Sequence, residues 1–186
     1  MTDIYPTPVS RELLHTRQVT CTGYLRSDGL FDIEGRLLDT KTTPATTPFK
    51  NIPNGEPFHQ MVLIMTVDID YVIQNVQART EIGPTPHCVE VNAAYAALRG
   101  VKIGPGFKKQ VAKIVGGALG CTHLTELLGP MATTLYQTTY KIVHDAELQR
   151  ALVDPDYNRP KPWVIGTCHV YREGSEATRR IWPEGG

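Results

Sequence analysis

The segment from residue 116 to residue 126, Gly-Gly-Ala-Leu-Gly-Cys-Thr-His-Leu-Thr-Glu, holds the densest group of reactive side chains in the sequence. Cys121, Thr122, His123 and Glu126 follow a glycine-rich turn there, at the start of an expected long helix. A helix N-terminus carries unpaired amide groups and a partial positive charge, which favour anions and thiolates. Because threonine is a preferred N-cap residue, Thr122 is expected to begin the helix. The segment predicts a catalytic or ligand-binding site.

His123 is the predicted general acid or base of this site, and Glu126 stands three residues later on the same helix face, where a carboxylate can orient the imidazole. Cys121 and Thr122 are predicted to contact the substrate. A helix terminus contributes about 0.3–1 kcal/mol, less than the roughly 1.4 kcal/mol of one pKa unit. Cys121 is therefore a good nucleophile only if His123 or a lysine lies beside it.

Two other interpretations of the segment stay open. Cys121 and His123, with Glu126, supply two or three metal ligands, and zinc would need a further ligand from elsewhere in the chain. In the structural interpretation, Cys121 is a small buried side chain and His123 forms a hydrogen bond at the helix start.

A second candidate site lies on the strand predicted after Asp28. Side chains in a strand alternate between two faces, and the odd positions of this strand run through apolar residues to Asp39 and Lys41. A charge on a buried face must be paired or open into a cleft. These two residues therefore predict either a structural ion pair or a catalytic amine, Lys41, partnered by Asp39. His59, expected at the same end of the sheet, and Arg26, a carboxylate binder, are the further predicted substrate contacts.

The elements that position these residues are predicted from periodicity and from turn residues. The order is four strands, three helices and two strands, which indicates an α+β fold with an antiparallel sheet built from hairpins and packed against about three helices. Residues 1–16 are expected to form an extended arm, and residues 17–186 a single domain. The predicted strands are 19–26, 30–42, 61–67, 72–82, 163–171 and 178–182, and the predicted helices are 89–98, 107–115 and 122–144.

Composition excludes several classes of protein. The 186 residues carry 19 basic and 19 acidic side chains, which argues against a nucleic-acid or membrane-surface binder. The sequence contains no apolar run long enough to span a bilayer and does not begin like a signal peptide. Four scattered cysteines indicate reduced thiols, so a cytoplasmic protein is expected. A homodimer is the expected assembly only because homodimers are the commonest oligomers.

The motifs together resemble the bacterial domain of unknown function 2889. The resemblance lies in the stretches 26–41 (Arg-Ser-Asp-Gly-Leu-Phe-Asp-Ile-Glu-Gly-Arg-Leu-Leu-Asp-Thr-Lys), 52–55 (Ile-Pro-Asn-Gly) together with His59, and 120–124 (Gly-Cys-Thr-His-Leu). It extends over roughly residues 10–185. It implies that both candidate sites belong to one recurring design, and it implies a link to bacteria that degrade aromatic compounds.

These observations lead to one functional hypothesis and two alternatives. The hypothesis is an enzyme without an organic cofactor, of lyase or hydrolase type, which cleaves a bond in a small anionic or aromatic substrate with acid–base assistance. The glycines at 116, 117 and 120 follow a predicted helix rather than a strand, so they do not form a dinucleotide-binding fingerprint. The alternatives are a metal-binding protein that uses Cys121 and His123, and a non-enzymatic ligand-binding module.

Overall fold

A four-stranded antiparallel sheet is the main element of the described part of the chain. The computed structural model describes residues 9–154 and 156–183, so residues 1–8 of the predicted N-terminal arm lie outside the described residues. The strands are β1 (His15–Leu25), β2 (Phe31–Lys41), β3 (Ala45–Thr46), β4 (Asn51–Ile52), β5 (Pro57–Val67) and β6 (Ile73–Ile82). The sheet has the strand order β1-β2-β5-β6, and β3 and β4 form a separate two-stranded ribbon.

The described residues also contain three α-helices and three short 3-10 helices. The α-helices are α1 (Phe107–Val115), α2 (Thr122–Val153) and α3 (Glu176–Ile181), and the 3-10 helices are Pro86–Val89, Asn92–Leu98 and Gly117–Leu119. The prediction of an α+β fold with an antiparallel sheet is therefore confirmed. The helix predicted at 89–98 is instead a pair of 3-10 segments, and α2 extends nine residues beyond the predicted end at 144.

The predicted strand order is wrong at the end of the chain, because the closing hairpin does not form. Residues 163–171 contain turns, in which the amide of Gly166 donates to the carbonyl of Tyr171 (2.7 Å). The segment predicted as the last strand lies largely within α3. The physical reason is a helix cap: Ser175 accepts a hydrogen bond from the amide of Thr178 through its side chain, and a serine N-cap favours a helix.

The chain divides into two compact units, Met1–Thr139 and Tyr140–Gly186. The first unit contains the sheet, helix α1 and the start of α2. The second contains the end of α2 and all of α3. A single domain over residues 17–186 stays a prediction. In the ranges that the structure describes, no helix is both long and apolar enough to cross a membrane.

The core of the first unit lies between the sheet and its helices. Odd-numbered residues of β2 from Phe31 to Asp39 are buried, as the alternation predicts. Helix α2 approaches this face closely at two glycines. A Cβ atom on Gly35 would lie 2.6 Å from the sulfur of Met131, and one on Gly23 would meet a side chain of the same helix at 1.8 Å. This packing directs the first turn of α2 toward the end of β2 that carries Asp39.

Candidate acid–base site

Asp39 is a buried carboxylate at the centre of the site. It lies near the end of β2, its side chain is 1% exposed, and the β1–β2 register places Arg17 directly opposite. The guanidinium donates from Nε to Oδ1 and from Nη2 to Oδ2, each at 2.8 Å. This bidentate contact matches the planar geometry of the guanidinium and the carboxylate. Arg17 also donates from Nη1 to Glu126 on helix α2 at 2.6 Å, so it connects β1, β2 and α2.

Two histidines also contact Asp39 within the sheet, His59 through a hydrogen bond and His15 at ion-pair distance. Nδ1 of His59 lies 2.9 Å from Oδ2, and Nε2 of His15 lies 3.2 Å from Oδ1. His59 is opposite Asp39 in β5, but Thr40 pairs with Pro57, so Phe58 is the extra residue of a β-bulge. A bulge redirects the side chains beside it. Here it accompanies the placement of His59 on the same buried face as Asp39.

His123 joins this cluster from the first turn of α2. Its ring lies against the ring of His59, with centroids 3.9 Å apart and planes inclined at 33°. Its Nε2 atom is 3.9 Å from Oδ2 of Asp39, which is an ion-pair distance and too long for a direct hydrogen bond. The His123 side chain is 24% exposed and that of His59 is 11% exposed. The pair is therefore sheltered but remains open to solvent through His123.

The fully buried Tyr95 fixes the start of α2. Its hydroxyl donates to the carbonyl of Cys121 (2.9 Å), accepts from the Cys121 amide (3.0 Å) and lies 2.8 Å from the hydroxyl of Thr125. The amide of Thr125 bonds to the carbonyl of Cys121 at 2.9 Å, so Cys121 holds the N-cap position. The prediction that Thr122 is the N-cap is wrong by one residue. Thr122 is exposed, in the first helical position.

The ionisation of the cluster follows from burial and charge. Burial raises the pKa of Asp39, but the hydrogen bonds and charge of Arg17, helped by His59, outweigh burial and bring it to about 2. Burial lowers the pKa of His59, and the neighbouring His123 lowers it further against the opposing effect of Asp39. Burial also lowers the pKa of His123, as does Arg17, while Asp39 and Glu126 oppose them. At neutral pH, Asp39 is therefore charged and both imidazoles are neutral.

The structure brings together several residues that the sequence predicted separately. Asp39, His59 and His123 lie in one cluster, and Sγ of Cys121 is 3.8 Å from Nδ1 of His123. The predicted role of Glu126 differs from its placement, because its carboxylate pairs with Arg17 rather than orienting His123 by a hydrogen bond.

Lys41 and Arg26 are not ion-pair partners of Asp39. Nζ of Lys41 lies 5.4 Å from the centroid of the Phe58 ring, and that ring lies 5.0 Å from His59. Lys41 therefore contacts Phe58, and Phe58 in turn contacts His59 of the histidine pair. Arg26 pairs with Asp28 and Asp32 after the far end of β1, about 25–30 Å along the strand from Arg17. Arg26 lies outside this site because it follows β1 at the hairpin turn, which is at the other end of the strands from Asp39.

Sequence reasoning missed His15 and Arg17. Both occupy odd positions of β1, and they lie four and two residues, respectively, before the predicted start of the strand near Val19. Both side chains are polar, so the apolar alternation of Val19, Cys21 and Gly23 does not extend to them, although all of these residues lie on one face of the strand. Extending the strand would have placed both opposite Asp39 and Lys41.

Asp39, His59 and His123 also form a candidate donor set for a metal ion. Their ligand atoms all lie within 4.8 Å of one another, and two imidazoles with one carboxylate suit zinc or ferrous iron. However, Arg17 occupies both oxygens of Asp39. A metal would have to displace one arm of the guanidinium before Asp39 became a ligand.

Comparison with known proteins places the chain in a family. No curated protein and no solved structure matches it. One family model matches residues 15–137, from the first residue of β1 into helix α2. The matched segment includes every residue of the cluster around Asp39. The chain therefore belongs to the family described as "Protein of unknown function (DUF2889)".

Proposed function

We propose that the chain is a small-molecule enzyme that works by general acid–base catalysis without an organic cofactor, in a reaction of hydrolase or lyase type. The observation that carries this proposal is the pair of imidazoles, His59 and His123, in ring contact beside the buried carboxylate of Asp39. A carboxylate only accepts hydrogen bonds, so Nδ1 of His59 carries its ring proton at 2.9 Å from Asp39. Nε2 of His59 is then the atom that accepts a proton from the substrate or water.

The lowered pKa values of both histidines suit this role. Each ring is neutral at neutral pH and can accept a proton, and two stacked imidazoles resist carrying two positive charges at once. A proton taken by one ring stays in the pair, where Asp39 stabilises it until it returns to the leaving group. Arg17, charged and bonded to Asp39, keeps that carboxylate from taking the proton itself.

The surroundings support a small substrate that is anionic or aromatic. Phe58 offers an apolar ring next to His59, and the ammonium group of Lys41 lies over that ring. The Phe58 ring can pack against an aromatic group of the substrate, and the Lys41 ammonium can attract a carboxylate of the substrate. A place in the breakdown of aromatic compounds by bacteria, a cytoplasmic location and a homodimer stay predictions.

Turnover of a substrate panel by the full chain tests the proposal. The panel contains small esters, thioesters and hydroxy acids that eliminate water, each with an aromatic or a carboxylate group. His59→Gln and His123→Gln should each lower kcat/KM by about 10²–10⁴-fold, with the circular dichroism spectrum unchanged. His87→Gln is the matched control, because His87 is exposed and pairs with Glu90 outside the site. If both site variants keep the wild-type rate, the acid–base assignment is wrong.

A metal-binding function is the second candidate, favoured by the mutual closeness of Asp39, His59 and His123. It predicts that protein purified without an affinity tag or chelator contains about one equivalent of zinc or iron, and that His123→Gln loses it. It also predicts that Arg17→Gln binds the metal more tightly, because the carboxylate is freed. Elemental analysis of folded protein without metal, followed by failure to bind added zinc, would remove this candidate.

A further inference from the structure

We propose that Cys121 is a nucleophile that forms a covalent acyl intermediate, with His123 as its base and Asp39 beyond the ring. This proposal rests on the acid–base function above and narrows it to acyl transfer from an ester or thioester. The acid–base proposal gives Cys121 no role, and the present proposal gives it the step in which the covalent bond to the substrate forms.

The first support is the order of three groups in space. Sγ of Cys121 lies 3.8 Å from Nδ1 of His123, and Nε2 of the same ring lies 3.9 Å from Oδ2 of Asp39. The imidazole therefore stands between a thiol and a buried carboxylate, in the order of a nucleophile, a base and a negative charge that stabilises the protonated base at ion-pair distance. With its proton on Nε2, the nitrogen nearer the charge of Asp39, the ring presents an unprotonated Nδ1 to the thiol.

The second support is the way in which the backbone of Cys121 is held. Both its amide and its carbonyl bond to the hydroxyl of the fully buried Tyr95. The same carbonyl accepts the bond from Thr125 that begins α2. A nucleophile attached to a fixed backbone keeps its distance from the base through the reaction.

The other three cysteines lack this arrangement. Sγ of Cys88 is bonded to the hydroxyl of Thr85 at 3.9 Å, although His87 is its neighbour in sequence. Burial raises the pKa of Cys21, which bonds to a threonine of α2. Cys168 is exposed in the second unit. Among the side-chain hydrogen bonds of the described residues, that of Cys121 joins a cysteine sulfur to an imidazole.

The reaction balances with water as the co-reactant. Nδ1 of His123 takes the thiol proton while the sulfur attacks the carbonyl carbon. The bond to the leaving alkoxide or thiolate breaks, and that group takes the proton from His123. Water then loses a proton to the histidine pair and attacks the thioester, the carbon–sulfur bond breaks, and Cys121 regains its proton. The products are a carboxylic acid and an alcohol or thiol.

Site-resolved alkylation of the full chain tests the thiol directly. Iodoacetamide is added in limiting amount, and peptide mass mapping gives the rate at each cysteine. Cys121, although half-buried, should react about tenfold faster than exposed Cys168, because Nδ1 of His123 lies 3.8 Å from its sulfur and can take the thiol proton as the sulfur attacks. His123→Gln should abolish that advantage, and His87→Gln should leave it intact.

A second measurement uses 4-nitrophenyl acetate as the acyl donor. Wild-type protein should release an initial burst close to one equivalent of nitrophenol and carry an acetyl group on the peptide that contains Cys121. Cys121→Ser should show neither. If Cys121 reacts no faster than Cys168, or if no acetyl group is found there, the nucleophile assignment is overturned. In that case the acid–base proposal is still supported if His59→Gln loses turnover of the substrate panel. If His59→Gln and His123→Gln both keep full activity, the acid–base proposal is wrong as well.

Discussion

Replacing Arg17 by glutamine should destabilise the fold by leaving Asp39 buried with weaker partners. The pKa of Asp39 falls from 3.8 to about 2 in the folded chain, a difference of roughly 1.8 units at about 1.4 kcal/mol each. The cluster therefore stabilises the charged carboxylate by about 2–3 kcal/mol. His59 supplies part of this and the guanidinium is partly solvent-exposed, so we expect Arg17→Gln to cost about 2 kcal/mol at neutral pH.

The same reasoning about Asp39 also predicts how the free energy of unfolding depends on pH. A carboxyl group whose pKa is lowered by folding stabilises the protein above its unfolded pKa, and that stability is lost as the pH falls toward the folded value. The free energy of unfolding of the wild-type chain should fall between about pH 4 and pH 2 because of Asp39. In Arg17→Gln this part of the curve should flatten.

Urea unfolding followed by circular dichroism measures both effects. Arg26→Gln is the control, because it removes an exposed guanidinium that also pairs with two carboxylates, at the far end of β1. Exposed pairs contribute little, so the control should unfold close to the wild-type midpoint. An Arg17→Gln variant as stable as the control, or one with an unchanged acid dependence, would refute the reasoning about Asp39.

Three further predictions concern the elements around the cluster. Tyr95→Phe should lose about 1–3 kcal/mol in urea unfolding, because the fully buried hydroxyl that bonds to the amide and the carbonyl of Cys121 is removed. The free energy of unfolding should decline as the pH falls below 6.5, the pKa of histidine in the unfolded chain, because the unfolded chain takes up protons before the folded one. The double variant His59→Gln/His123→Gln should lack this decline. An unchanged decline would contradict the lowered pKa values of the two histidines. Gly35→Ala should cost about 1–3 kcal/mol in thermal unfolding, because its methyl group would overlap the methionine of α2 above it; an unchanged melting temperature would show that the helix moves away freely.

The parts of the fold that follow local periodicity were predictable from the sequence. The alternation along β2 identified the buried face correctly, and with it the buried charge of Asp39. A strand period of two depends only on neighbouring residues. The glycine-rich turn before Cys121 likewise located the start of α2 within one residue.

The partner of Asp39 was not predictable in the same way. Lys41 is two residues away on the same face, whereas Arg17 comes from another strand through the β1–β2 register. The first residues of β1 are polar and largely exposed, so hydrophobic periodicity gives them no signal. The bulge at Phe58 also has no local signature, yet it accompanies the placement of His59 beside the carboxylate.

The spacing of the site contacts along the chain has a consequence for the order of folding. Arg17 and His59 reach Asp39 across only 22 and 20 residues, whereas Arg17 reaches Glu126 across 109. Closing a longer loop costs more conformational entropy and comes later when the segments between have not folded. We therefore expect the strands to bring together the carboxylate, the guanidinium and one imidazole before α2 docks and adds the second imidazole.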